Sequence, residues 1–140
     1  MEIYPVGVST DPRLTARFEA TATRLDLGVG SRLCVQGARR QEFGLVISGR
    51  ARVVRDGVVV AQLGAGDHFG EFTMLRGLPS PVTIVAEAPT TVDVVSGVEF
   101  RSTFGADEQC RDSLERALDL RIRDWVAAAD AVTVIERAIA

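Results

Sequence analysis

A change of texture near residue 97 constrains this chain more than any other feature. Up to that point it is a series of short apolar runs cut by glycine: ATATRLDL, SRLCVQG, FGLVISG, RARVVRDG, VVVAQLGAG, TIVAEA and TTVDVVSG. Val, Ile and Thr dominate these runs, and their length and spacing suit an all-β barrel or sandwich. Asp56-Gly57 lies between RARVVR and VVVAQL, a two-residue hairpin signal of the primed-turn type. From Val98 onward the chain has no proline and is rich in helix formers, which predicts a helical tail.

Within the tail, Leu118, Ile122, Trp125, Ala129 and Val132 follow steps of four and three, one apolar stripe on a helix. The stripe has two readings: it packs on the β block, or part of it forms a dimer seam. Two heptads fall short of a coiled coil, and Trp125 is the anchor either way.

Composition narrows the function classes. A chain of 140 residues with 46% hydrophobic content can bury a core as a single domain. The net charge of −3 argues against a general binder of nucleic acid or polyanionic membranes. No apolar run is long enough to span a bilayer, and the N-terminus lacks the shape of a signal peptide. Two distant cysteines, Cys34 and Cys110, together with that N-terminus, give a reduced cytoplasmic location as the expectation. All sixteen basic residues are arginine and asparagine is absent, a coding bias rather than a functional signal.

The chemistry concentrates in residues 64 to 83, GAGDHFGEFTMLRGLPSPVT. A strand-like run ends at Phe69, Gly70 opens a tight turn, and Glu71 begins a short helix-competent segment. Such a turn directs several backbone N–H groups at one spot, which suits an anion, and sets a carboxylate beside them. The stretch resembles the phosphate-binding cassette of cyclic-nucleotide-binding domains, as in catabolite-activator-type regulators and protein kinase A regulatory subunits. The resemblance covers about residues 25 to 104. VGSRLCVQG is similar to the family's opening turn and second strand, FGLVISGRARVV to its next hairpin with Gly49 at the turn, and VVVAQLGAGDHFGE to the strand leading into the cassette. TIVAEAPTTVDVVSGVEFRSTF resembles the last strands and the short helix after them. Gly44 departs from the pattern, since relatives often carry an aromatic residue there.

This resemblance implies a mainly β fold with α: a double-stranded β-helix, that is, a jelly-roll-like β-roll of about eight strands, flanked by a short N-terminal helix and C-terminal helices. Residues 1–104 would form the roll, the N-terminal helix and the cassette, and 105–140 a helical tail packing on it within one domain. It also implies a candidate ligand-binding set: Phe69, Gly70, Glu71, Phe72, Thr73, Ser80, Pro81, Val82 and Thr83. In the family the residue at Glu71 accepts a hydrogen bond from the ribose 2′-hydroxyl, and the N–H groups at Phe72 and Thr73 face the phosphate. The family's phosphate-clamping arginine is Ser80 here. The N–H of the following residue is lost to Pro81, Val82 has no hydroxyl, and Thr83 alone keeps a polar side chain. Losing a bidentate, charge-assisted contact costs about 1.5–3 kcal/mol, roughly ten- to a hundredfold in affinity.

Arg76 falls about one and two-fifths turns after Glu71 and is expected to point away from it. Arg39 and Arg40 read as solvated surface arginines. The expectation is therefore a non-enzymatic, stand-alone regulatory or interaction module that does not hold cyclic AMP or cyclic GMP tightly and uses no cofactor. It would act through a protein partner or self-association involving Leu118, Ile122, Trp125 and Ala129. The alternative is a true cyclic-nucleotide sensor with a non-standard cassette, whose ligand shifts the C-terminal helix.

Other chemistries find less support. His68 is the only histidine, too few for a cupin-type metal site, and reads as a partly exposed strand residue. Cys34 and Cys110 have no evident histidine partner, and Ser80 lies on no nucleophile elbow. Asp11, Asp26, Asp67 and Glu87 form no evident acid–base pair, so neither catalytic residues nor metal ligands are expected. The tail carries little positive charge and the chain stops at Ala140, so no DNA-reading helix is expected either.

Overall fold

The computed structural model describes residues 12–139, with side chains from 16 to 130. The element order is α1 (Pro12–Thr21), β1 (Thr23–Leu27), β2 (Arg32–Cys34), β3 (Glu42–Ser48), β4 (Arg50–Arg55), β5 (Val58–Gly64), β6 (His68–Phe69), α2 (Glu71–Arg76), β7 (Thr83–Ala86), β8 (Thr90–Ser96), α3 (Gly97–Ser102) and α4 (Glu108–Ile139). The strands form two four-stranded antiparallel sheets, ordered β1-β8-β3-β6 and β2-β7-β4-β5. The expected eight-stranded β-roll with helices at both ends is the fold observed.

Local chemistry explains the strand boundaries. Asp56 (φ 50°) and Gly57 (φ 79°) both take positive φ, the geometry of a primed turn, and Arg55 pairs with Val58 across it. On β4, Ala51 and Val53 point into the roll while Arg50 and Arg52 face outward, the alternation of a strand covered on one side. The neighbouring strand β3 does not alternate. Phe43, Gly44, Leu45 and Val46 are all buried, because this strand is covered on both faces.

Those two faces belong to two cores. Inside the roll, Leu33, Val46, Val53, Leu63, Ile84 and Val92 pack together, and Trp125 from α4 joins them. Outside it, Phe43 and Leu45 meet Phe18 of α1, Phe100 of α3, Phe104, and Cys110 and Leu114 of α4. The rings of Phe43 and Phe100 cross edge to face with centroids 5.0 Å apart, a favoured aromatic arrangement. Helix α4 therefore serves both cores, Leu114 in one and Trp125 in the other.

Gly44 has a physical explanation. It pairs with Phe69 of β6, and a Cβ at Gly44 would lie 2.0 Å from Phe69 Cζ. The ring of Phe69 occupies the space an aromatic residue at position 44 would need.

The C-terminal helices are α3 and α4. Ser96 caps α3 in a reciprocal capping box with Glu99, and the 103–107 turn containing Gly105 separates it from α4. On α4, Leu118 and Trp125 are buried, whereas Ile122 and Ala129 are half-buried. Arg121 is buried deeper than Ile122, so the inward stripe runs Leu114, Leu118, Arg121, Trp125. The side chain of Val132 lies outside the described residues.

Candidate functional site

The cassette is built around the turn at Gly70. Its φ is 87°, and a Cβ there would sit 2.1 Å from the carbonyl oxygen of Glu42, so both conformation and space demand glycine. Gly70 caps α2 without a side-chain acceptor for the first N–H groups of the helix. That cleft is lined by Gly70, Glu71, Phe72 and Thr73 on one side and Ser80, Pro81 and Val82 on another. Arg40 and Glu42 stand at its edge, while Arg121 and Trp125 of α4 close it. The free volume left is about 20 Å³, room for about one water.

Glu71 is the chemical centre of the first half. Its side chain is buried, and Arg121 Nη1 donates to Glu71 Oε1 at 2.7 Å. The same Nη1 donates to the carbonyl oxygen of His68 at 2.6 Å. His68 Nδ1 lies 3.2 Å from Nη1 and 3.3 Å from Glu71 Oε2, so three buried polar groups share one small volume. Burial alone would raise the carboxyl of Glu71, but Arg121 and His68 outweigh it and hold the pKa at about 2. Burial, with Arg121 adding to it, lowers the pKa of His68, which keeps the imidazole neutral. Among the described residues, Arg121 Nη2 and His68 Nε2, both buried, find no hydrogen-bond partner.

The second half of the cassette is satisfied differently. The N–H of Ser80 donates to Ala38 O at 2.8 Å, and Gly37 N–H donates back to Ser80 O at 2.9 Å, a small ladder with the β2–β3 loop. The Ser80 hydroxyl donates to Val82 O at 2.7 Å. Arg55 donates to Pro81 O at 2.9 Å from the outer side, and Thr83 Oγ1 accepts from the N–H of Gln36 at 2.9 Å. Each of these polar groups is already spoken for within the chain.

The predicted site residues therefore divide. Gly70 to Thr73 and Ser80 to Val82 come together at the cleft, whereas Phe69 is buried against Gly44 and Thr83 is tied to Gln36 outside the lining. Arg76 turns to Glu115 and to Asp119, the latter at 3.0 Å, away from the cleft. Arg40 pairs with Glu42 at 2.6 Å at the mouth, its side chain mostly exposed. One expectation needs correction: His68 is not a partly exposed strand residue but is 1% exposed, because α4 and Phe43 cover it. Arg121 was not legible as a site residue. Its spacing from Leu118 and Trp125 fits the buried stripe as well as that of Ile122, but an apolar count favours the isoleucine.

Cys34 lines the same cleft, and burial, followed by the charge of Glu71, pushes its thiol up to about 12. It is an inert wall residue. Among the described residues no cluster of His, Cys, Asp and Glu is placed to hold a metal, and no helix is long and apolar enough to cross a membrane.

A roll of this topology with a Gly-Glu turn before a short helix is matched by the family model for the cyclic nucleotide-binding domain over residues 25–107. The chain belongs to the cyclic nucleotide-binding domain family. Domains of this family are generally regulatory and non-catalytic. An uncharacterized protein of Mycobacterium tuberculosis is 35% identical over 89 residues, 64% of this chain and 18% of that protein. A cAMP-dependent protein kinase regulatory subunit of Yarrowia lipolytica is 33% identical over 72 residues, 51% of this chain and 19% of that protein. The chain thus spans less than a fifth of the length of either relative. Among solved structures, the Thermus thermophilus catabolite activator protein superposes with a TM-score of 0.70 at 22% identity, over 89% of this chain and 60% of that one. At that identity the likeness concerns the fold alone.

Proposed function

We propose that this cyclic nucleotide-binding domain is a non-enzymatic regulatory or interaction module whose cleft is closed by its own C-terminal helix instead of by a cyclic nucleotide. One observation carries the reading: Arg121 of α4 occupies the carboxylate of Glu71 at 2.7 Å, the group that would receive a ribose hydroxyl. Trp125 fills the space beside it and is part of the roll's core. Ser80 and Pro81 supply neither the arginine fork nor the second N–H, and the Ser80 hydroxyl already donates to Val82. A nucleotide site needs a few hundred Å³, so ligand would have to expel Arg121 and Trp125 before it could enter. Output then passes through a protein partner or self-association, in a cytoplasmic setting.

The test is calorimetric titration of the full chain with cyclic AMP, cyclic GMP and cyclic dinucleotides. No saturable heat up to the hundred-micromolar range is expected, and micromolar binding would overturn the reading. Ser80→Arg with Pro81→Ala restores the two missing phosphate donors, and a gain of ten- to a hundredfold in affinity is the expected upper reach of that repair. A second reading, a sensor with a non-standard cassette, draws on one observation of its own: Arg121 Nη2 is buried and has no partner among the described residues, a donor available to an anion. Its signature would be nucleotide binding abolished by Arg121→Gln.

A further inference from the structure

Arg121 and Trp125 are four residues apart on α4, so their side chains leave one face of the helix a turn apart. The guanidinium enters a buried, ionised carboxylate; the indole enters an apolar slot walled by Leu33, Val82 and Ile84. Negative charge beside an apolar slot is a poor seat for a phosphate and a good one for a helix that brings a cation and an aromatic ring.

Helix α4 is held in two separate places. Its first half belongs to the phenylalanine core through Cys110 and Leu114, and Glu115 and Asp119 pair with Arg76. Past Asp119, among the described residues, the polar side-chain link from α4 to the roll is Arg121, with Trp125 as the apolar anchor. The first half is thus anchored independently of Arg121 and Trp125, and any release of the second half must undo those two contacts.

Resting on the reading above that the cleft is not a nucleotide site, we propose that it is a helix receptor. Its partner is a protein helix presenting an arginine and a tryptophan four residues apart, and α4 is the tethered occupant with which that helix competes. Glu71 selects the guanidinium, and the slot selects the ring. A tethered occupant sits at an effective concentration in the millimolar range, so the receptor stays closed until a partner of higher intrinsic affinity arrives.

The experiment uses the full chain with its own anchors removed, Arg121→Gln/Trp125→Ala. Trp125 is the single tryptophan of the protein, so this receptor has none. A synthetic peptide of residues 114–130, LERALDLRIRDWVAAAD, then carries the sole indole. Titration with receptor is expected to blue-shift the peptide's fluorescence saturably. The same peptide with Arg121→Gln should bind at least tenfold more weakly, the loss of a charge-assisted contact, and adding Glu71→Gln to the receptor should erase that difference. An emission that stays at its free-peptide position, with the β circular dichroism of the receptor intact, overturns the proposal. Equal binding of both peptides overturns it as well. Should the double variant lose its β signal, Arg121→Gln/Trp125→Leu keeps apolar bulk in the slot and takes its place. Peptide failure leaves the nucleotide calorimetry untouched, whereas micromolar nucleotide binding by the parent chain sinks the reading beneath, so the two failures are distinguishable.

Discussion

The two halves of the cassette face one cleft but are completed by different means. In the first half, His68 to Arg76, Glu71 is buried and ionised, and its counter-charge arrives from Arg121, 50 residues along the chain. In the second half, Leu78 to Thr83, no charge is buried, and backbone hydrogen bonds to Gly37 and Ala38, with Arg55 donating to the carbonyl oxygen of Pro81, do the work. The first half is an electrostatic joint and the second a piece of ordinary backbone pairing. The contrast teaches that one cleft can be walled on one side by a buried ion pair and on the other by hydrogen-bonded backbone, and that the joint holding charge becomes the sensitive part.

Breaking the first half should have the largest effect. Arg121→Ala strands a buried carboxylate and should cost about 3–5 kcal/mol by chemical denaturation, with Glu71→Ala in the same range. The double variant Glu71→Gln/Arg121→Met should cost much less than the two single losses together, the mark of a coupled pair in a double-mutant cycle. Acid attacks the same joint. A carboxyl held at about 2 in the fold against 4.5 ordinarily contributes about 3 kcal/mol above pH 4.5, lost as pH falls toward 2. His68, kept neutral in the fold, subtracts further as the unfolded chain takes up its proton below about pH 6.5, so both groups push acid unfolding in one direction. Denaturant midpoints measured from pH 7 to pH 2 should fall through that range, and in Glu71→Gln the part between 4.5 and 2 should flatten.

In the second half the effects should be smaller. Ser80→Ala removes one neutral side-chain hydrogen bond to Val82 and should cost about 1 kcal/mol, a few degrees in melting temperature. A loss as large as that of Arg121→Ala would erase the distinction drawn between the halves. Smallest of all, the Cys34 thiol in the shared wall should resist alkylation at pH 8 in the native protein, since its pKa is pushed to about 12. Rapid labelling in native buffer, read by mass spectrometry, would mean that the cleft opens far more readily than its packing suggests.

Much of the roll was legible because strands announce themselves locally. The Asp56-Gly57 turn, the alternation in RARVVR and the glycine-bounded runs are each set by a few neighbouring residues, and the structure follows them closely. The Gly70-Glu71 turn was legible for the same reason. Where two distant segments meet, local pattern gave out. Gly44 read as a missing aromatic until Phe69 was found lying over it. His68 read as exposed because nothing near it in sequence covers it. Arg121 was passed over because charged residues on a helix usually face water, and one face of α4 admits either Arg121 or Ile122 by spacing.

By itself, then, the amino-acid sequence determined the β-roll, its principal turns and the Gly70-Glu71 turn that opens the cassette. Only the tertiary structure decided what became of the remaining carboxylate. Strand patterns and turns are set by interactions a few residues long, but the partner of a buried charge is chosen by which segment the fold brings within about 3 Å. Here that segment is α4, and it brings Arg121.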